Sequence, residues 1–484
     1  MNKELKRVSI VVVLMFLTLF VSTSVIQVAA VDDLRVDPRN VRTLYDSFSA
    51  ERGPILIDGE AIAESVPVDD AFSYLRTYSD GPLYAPVTGY FTLNQGNTGV
   101  EGALNDYLSG SANEQFLNKL YAIITGQDPK GAAVELTIDK KVQQAAWDAL
   151  GDNTGSIVAV VPQTGEILAM VSKTSYDPNV LAVHNTKTVI NNYDALQKTA
   201  SKPLVNRAIG GDLYAPGSVF KVIMTAAALE SGEFTKDSEF PNPPRLTLPQ
   251  SSNVIRNAGG SNCGGGANAS IATALRLSCN IPFAQLGAQL GADRIGAMAT
   301  AFGFGTGFEI PMRATPSSYP PVASEAELML SSFGQASVRV TPLQMAMVSA
   351  GVANGGKVMN PTVVESVLGP DLSVLEQHEP TVFGEPISQE TADIMKQMMV
   401  EGVSNGAASN ARISGVDVGG KTGTAENGGD RPFTLWFTGF APADNPQVAI
   451  AVVIENGGGL GQSAFGNQIA APIAKKVLEA VLSR

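Results

Sequence analysis

The apolar and polar positions fall into three regimes along the chain. Residues 8–31 carry no charged side chain and follow Lys3, Lys6 and Arg7. A run of that length crosses a bilayer as a helix, with the basic flank on the cytoplasmic side and everything from Asp32 onward exported. The competing expectation is a cleaved signal peptide, because Val28-Ala29-Ala30 ends in small residues. The length of the uncharged run favours an uncleaved, single-pass plasma-membrane anchor. From residue 32 to about 130, charged loops alternate with short apolar runs such as Pro54-Ile55-Leu56-Ile57, and one helical patch is expected around 113–124. No nucleophile, metal-ligand cluster or phosphate loop stands out there. The region is expected to be a pedestal, with Arg35, Asn40, Arg42 and Arg52 pinning it together.

Beyond it the pattern is α+β. Residues 133–138 read as a strand, and Asp139 caps a helix over 140–150 in which Val142, Ala146 and Leu150 recur at four-residue spacing before Gly151 stops it. Residues 156–161 and 166–171 flank the turn Pro162-Gln163-Thr164-Gly165 as a hairpin, the first strands of a main sheet. The middle is mainly helical. An apolar run over 222–229 sits between Pro216-Gly217 and Gly232, Ser270 caps a helix leading to Ser278, and another helix starts near Pro282. Thr341-Pro342 opens a helix in which Gln344 is expected to reach back as a capping box, with Asn354-Gly355-Gly356 as a left-handed stop. Ser388 opens another, to about Gly402. The Pro-rich and then Gly-rich stretch 241–266 reads as a long surface loop at a functional rim. Strands over 416–425, 433–440 and 447–455 and a helix over 468–482 complete the pattern. Strands at both ends with helices between predict a sheet covered by helices. The expected division is 1–31 tip and anchor, 32–135 pedestal, and 136–484 main domain.

Size and charge narrow the picture. A chain of 484 residues exceeds one ordinary core, so two folded regions plus a membrane segment are expected. A formal charge of −13 argues against a nucleic-acid partner, which needs a basic face. The two histidines, His184 and His378, have no obvious acidic partner, which makes a Ser-His-Asp triad a poor fit. The two cysteines, Cys263 and Cys279, lie sixteen apart. Outside the membrane they can bridge, a loop of that size contributing about 3 kcal/mol. The alternative is two unpaired thiols.

The candidate chemistry lies in three short stretches. In Ala215-Pro216-Gly217-Ser218-Val219-Phe220-Lys221, the serine and lysine stand three apart at the start of an apolar helix, on one face and near its positive end. Ser218 is thus a candidate nucleophile, and Lys221 can be its base if burial and a second cation such as Lys421 keep its amine uncharged. A single Ser-x-x-Lys arises by chance about once in a chain this long. Ser278-Cys279-Asn280, between two helix-like segments, and Lys421-Thr422-Gly423-Thr424-Ala425, after Gly419-Gly420, change those odds.

Ser-x-x-Lys, Ser-x-Asn and Lys-Thr-Gly in this order resemble the active-site set of penicillin-binding proteins and serine β-lactamases. With Arg52-Gly53-Pro54-Ile55, residues 155–172, Asn206-Arg207-Ala208 and Thr341-Pro342-Leu343-Gln344-Met345-Ala346, nearly the whole chain resembles class B penicillin-binding proteins. The resemblance implies an α+β transpeptidase domain of the β-lactamase-like fold, an antiparallel sheet covered by helices, on a smaller dimerisation-like pedestal. It implies a D,D-transpeptidase that cross-links peptidoglycan stem peptides in wall synthesis and division and is acylated by β-lactams. Ser218 attacks the penultimate D-Ala carbonyl, and Ser278 relays a proton with Lys221. Asn280 holds the substrate amide from the same side of an extended turn. Lys421, Thr422 and Thr424 take the substrate carboxylate, Gly423 lets a backbone approach, and the N–H groups of Ser218 and Thr424 form an oxyanion hole. No metal or organic cofactor is implied. The implied partners are stem peptides and their lipid-linked precursor, β-lactams, a membrane glycosyltransferase and division proteins. The alternatives are a D,D-carboxypeptidase or β-lactamase on the same fold, and a non-catalytic penicillin sensor or division scaffold. The intact catalytic residues and the mere seven residues ahead of the apolar run weigh against a sensor.

Overall fold

The computed structural model describes residues 2–29, 48, 50–115 and 130–484. Arg35, Asn40, Arg42, Ala30 and most of the helix expected over 113–124 lie outside these. At the N-terminus, Asn2–Ser24 is helical, and the stretch Lys3–Gln27, of mean hydropathy 2.5, is long and apolar enough to cross a membrane.

The main sheet has five antiparallel strands in the order Gly419–Ala425, Thr434–Ala441, Val448–Ile454, Gly155–Val160, Ile167–Lys173. Thr434–Ala441 and Val448–Ile454 are buried at every position, because helices cover both faces. Leu435, Phe437, Ile450 and Val452 pack with the Lys140–Leu150 and Ala470–Leu482 helices on one side. Trp436, Phe440, Ala449 and Ala451 pack on the other, with Pro342–Ala353 and Gln389–Ser404. These are the sheet and helices expected from the sequence, with ends shifted by a few residues. Asp139, Ser270 and Ser388 cap their helices through side-chain oxygens, as their positions predict. Thr341 caps too, but Gln344 does not reach back: its Nε2 donates to the Phe302 carbonyl at 2.7 Å, a buried acceptor that outcompetes the capping box.

A second sheet has six strands, ordered Val374–Gln377, Val364–Leu368, Ala133–Leu136, Ile55–Ile57, Glu60–Pro67, Tyr74–Tyr78. Ile55–Ile57 and Ala133–Leu136 run parallel; the other neighbours are antiparallel. Two strands of this pedestal sheet thus come from beyond residue 360, and it continues across the division expected at 135/136. Ala133–Leu136 joins it rather than the main sheet. Beneath it, Glu101 accepts from Arg52 Nε and Arg76 Nε, each at 2.6 Å, all three side chains being buried.

The stretch 241–266 is not a bare loop. Arg245–Thr247 pairs with Val254–Arg256, and Glu239–Pro241 pairs with Asn268–Ser270. Three-residue strands are too short to show a period in sequence. His184 does have an acidic partner, Asp70 Oδ2 at 2.6 Å, 114 positions away and invisible to a local reading.

Candidate active site

Gly217–Phe220 forms a 3₁₀ turn that runs into the helix Lys221–Glu230, so Ser218 stands just ahead of the α-helix rather than within it. With three residues per turn, positions i and i+3 eclipse, which sets Ser218 and Lys221 on one face. Ser218 is half-buried while Gly217, Val219, Phe220 and Lys221 around it are buried. The serine is therefore partly open to solvent while the lysine is closed off from it.

The turn is clamped by glycines at close backbone approaches. Gly217 has φ 54°, and a Cβ there would lie 2.8 Å from the Thr424 carbonyl oxygen. Gly334, at φ 77°, packs so closely that a Cβ would sit 2.0 Å from the Gly217 oxygen, and its own carbonyl accepts from Gly217 N at 2.9 Å. A Cβ on Gly423 would come 2.8 Å from the Pro216 oxygen. The Gly419–Ala425 strand is thereby laid against the serine turn. Upstream, Trp436 Nε1 donates to the Ala215 carbonyl at 3.0 Å. Arg207 Nε and Tyr214 OH both donate to Glu455 Oε1, at 2.8 and 2.6 Å, fixing the approach to the turn.

Ser278 ends the helix Ile271–Leu277 in a left-handed conformation, φ 64° and ψ 35°, and Asn280 is the N-cap of Ile281–Leu290. The extended turn expected here is instead a kink between two helices, which directs Ser278 O and Asn280 Oδ1 to one amine. Lys221 Nζ donates to both, each at 2.8 Å. Lys421 Nζ donates to Ser278 Oγ at 2.7 Å and to the Thr422 carbonyl at 2.8 Å. The three stretches, separated by 57 and 143 positions, meet in one network.

Both lysines are buried. Burial, followed by repulsion from Lys421, pushes the Lys221 amine well below the usual lysine range; burial lowers Lys421 to about 7. An uncharged Lys221 has two N–H groups, both engaged by Ser278 and Asn280, so its lone pair is what remains. Thr422 and Thr424 differ. Thr422 Oγ1 donates its proton to the Ala407 carbonyl at 2.9 Å, whereas Thr424 Oγ1 accepts from Gly466 N at 3.2 Å and keeps its proton available. Cys263 and Cys279 are joined in a disulfide, Cα–Cα 5.7 Å, directly behind Ser278.

All eight candidate residues from the three motifs lie in this cleft or its wall. Sequence reasoning missed Gly334, which packs against the serine turn, and Ala407, whose carbonyl holds Thr422; neither carries a motif.

Residues 155–479 match the family described as penicillin binding protein transpeptidase domain, and residues 52–134 match the penicillin binding protein A dimerisation domain. The peptidoglycan D,D-transpeptidase PbpA of Mycolicibacterium smegmatis is 42% identical, over 100% of this chain and 99% of its own length. Its namesake in Mycobacterium tuberculosis is 41% identical with the same coverage. The crystal structure of penicillin-binding protein A from M. tuberculosis as a ceftriaxone acyl-enzyme superimposes with a TM-score of 0.87 at 40% identity, covering 90% of this chain and 100% of that one. The penicillin G acyl-enzyme of the same protein gives 0.85 at 39%, with the same coverage.

Proposed function

Since this chain belongs to the penicillin-binding protein transpeptidases, we propose that it is a membrane-anchored peptidoglycan D,D-transpeptidase working through an acyl-enzyme at Ser218. The observation that carries this reading is the Lys221 amine, buried, pushed towards its uncharged form, and held by Ser278 O and Asn280 Oδ1 one turn from Ser218.

In this reading Ser218 Oγ attacks the penultimate D-Ala carbonyl of a stem peptide as its proton passes to the Lys221 amine. The N–H groups of Ser218 and Thr424 stabilise the oxyanion. The C–N bond then breaks as the proton taken up by Lys221 is relayed through Ser278 to the departing D-Ala amine, so that both return to their starting protonation, and an ester remains on Ser218. An amine from a neighbouring stem attacks the ester, forms the cross-link and returns the serine hydroxyl. Asn280 holds the substrate amide. Lys421 and the free proton of Thr424 take the carboxylate, Thr422 supports the wall, and Gly423 admits the substrate backbone. A β-lactam enters by the same attack, but its broken C–N bond lies in a ring, so no fragment leaves.

The N-terminal helix would place the catalytic domain on the outer side of the plasma membrane, beside a glycosyltransferase and division proteins. Intact-protein mass spectrometry after mixing with benzylpenicillin tests the reading. The expected result is one adduct, mapped to Ser218, that persists and is missing from Ser218→Ala. An adduct on the alanine variant would overturn the assignment, and turnover within seconds would make the protein a hydrolase.

A further inference from the structure

Asn280 occupies the N-cap of the Ile281–Leu290 helix yet makes no cap bond with its own side chain. Asp80 and Thr98 likewise head their helices without one. Asp139, Ser270, Thr341 and Ser388 all cap their own helices through side-chain oxygens, and asparagine is among the strongest capping residues. Asn280 instead gives Oδ1 to Lys221 Nζ at 2.8 Å and donates from Nδ2 to the Arg256 carbonyl at 3.0 Å.

The missing cap comes from another element. Asn257 Oδ1 accepts from Asn280 N at 2.9 Å and from Ile281 N at 3.0 Å, satisfying two of the helix's orphan donors at once. Asn257 is 3% exposed and is itself held: its Nδ2 donates to Asn242 Oδ1 at 2.9 Å and to the Pro243 carbonyl at 3.3 Å. Asn242, fully buried, donates in turn to the Cys263 and Gly266 carbonyls at 2.7 and 3.1 Å. Because the partners of Asn257 Oδ1 are backbone N–H groups, which can only donate, the orientation of its amide is fixed.

We infer that Asn257 is a positioning residue for acyl transfer: by binding the N–H groups of Asn280 and Ile281 it fixes the kink at the start of the Ile281–Leu290 helix, and with it the aim of Asn280 Oδ1 at Lys221. Without it, those two N–H groups lose their acceptor, the kink loosens, and Asn280 Oδ1 moves away from Lys221, which loses one of its two acceptors. Misplacing a base costs rate far more than it costs binding of the substrate. The inference rests on the reading of Lys221 as the base for Ser218.

The experiment measures the noncovalent dissociation constant and the acylation rate constant for benzylpenicillin separately, by stopped flow on the full-length chain in detergent. Asn257→Ala is expected to lower the rate constant about 10- to 100-fold with the dissociation constant changed less than about twofold. Asn257→Asp keeps an oxygen for both N–H groups, but its second oxygen faces Asn242 Oδ1 and the Pro243 carbonyl and can bond them only when protonated, so it is expected to restore most of the rate, relative to wild type at the same pH, at acid pH. In the double variant with Asn280→Ala, removing Asn257 should add almost nothing, since both losses act through one amide. A wild-type rate in Asn257→Ala, fully additive losses, or no rescue by aspartate at acid pH would each overturn the inference. If Asn257→Ala does not fold, aspartate at acid pH decides: a rate within about twofold of wild type at the same pH supports it, and a loss equal to that of Asn280→Ala defeats it. A wild-type chain that is not acylated at all would instead defeat the function proposed above.

Discussion

Lys421 Nζ donates to Ser278 Oγ at 2.7 Å while Lys221 Nζ donates to the carbonyl oxygen of the same serine at 2.8 Å. One residue thus holds two buried amines, one through its side chain and one through its backbone. Burial lowers the proton affinity of both amines, and repulsion from Lys421 lowers that of Lys221 further.

The first prediction concerns pH. The folded protein holds Lys421 at about 7 and Lys221 well below the lysine range, against an ordinary value of 10.5 in the unfolded chain. Between these limits the unfolded state binds more protons than the folded one, so stability rises with pH. The cost of burying the charge is fully present below about pH 7 and is relieved as pH climbs from there towards 10. Urea unfolding at pH 7 and pH 9.5 should give the higher midpoint at pH 9.5. Lys421→Met should flatten that rise, lift the midpoint at pH 7 and abolish penicillin acylation. A variant less stable than wild type at pH 7 would contradict this.

A second prediction concerns the pedestal. Burial pushes the Glu101 carboxyl up, but Arg76 and Arg52 outweigh it and hold the group below its ordinary value. Its contribution is therefore present at neutral pH and lost as pH falls through that lowered value. Glu101→Gln leaves two buried guanidiniums without a countercharge, and Arg76 Nη2 already has no hydrogen-bond partner among the described residues. A loss of about 3–5 kcal/mol is expected, read by chemical denaturation at pH 7. A change below 1 kcal/mol would show that the cluster is solvated.

The glycine clamp gives a third. Gly334→Ala adds a Cβ at φ 77°, 2.0 Å from the Gly217 carbonyl oxygen, where neither backbone can yield without moving the serine turn. The variant should lose more than about 1 kcal/mol of stability, and its acylation rate should fall about 100-fold. Gly305→Ala, also at positive φ but with nothing within 4 Å, should acylate at the wild-type rate. Equal rates in both variants would detach Gly334 from the site.

Legibility followed the range of the interactions. Asp139, Ser270 and Ser388 reveal their helices because a cap bonds three residues on. Ser218 and Lys221 reveal each other because one turn separates them. Gln344 misled because its local capping position lost to Phe302, 42 residues away. Val364–Leu368 and Val374–Gln377 escaped because they are short strands: the first pairs with Ala133–Leu136, more than 200 positions upstream, and the second pairs with the first. The acid beside His184 escaped for the same reason.

The sequence alone determined the chemistry on offer: two serines, two lysines and an asparagine in three motifs, an apolar run long enough for a bilayer, and helices and strands with local periods. Those are properties of near neighbours, and neighbours in sequence are neighbours in space whatever the fold. Only the tertiary structure decided that Ser278 would sit in a left-handed kink between both amines and that Thr424 rather than Thr422 would keep a free proton. It also decided that Asn257 would cap a helix beginning 24 residues later. Each depends on burial and on contacts between distant segments, and desolvation and hydrogen-bond competition exist only once the chain has closed around them.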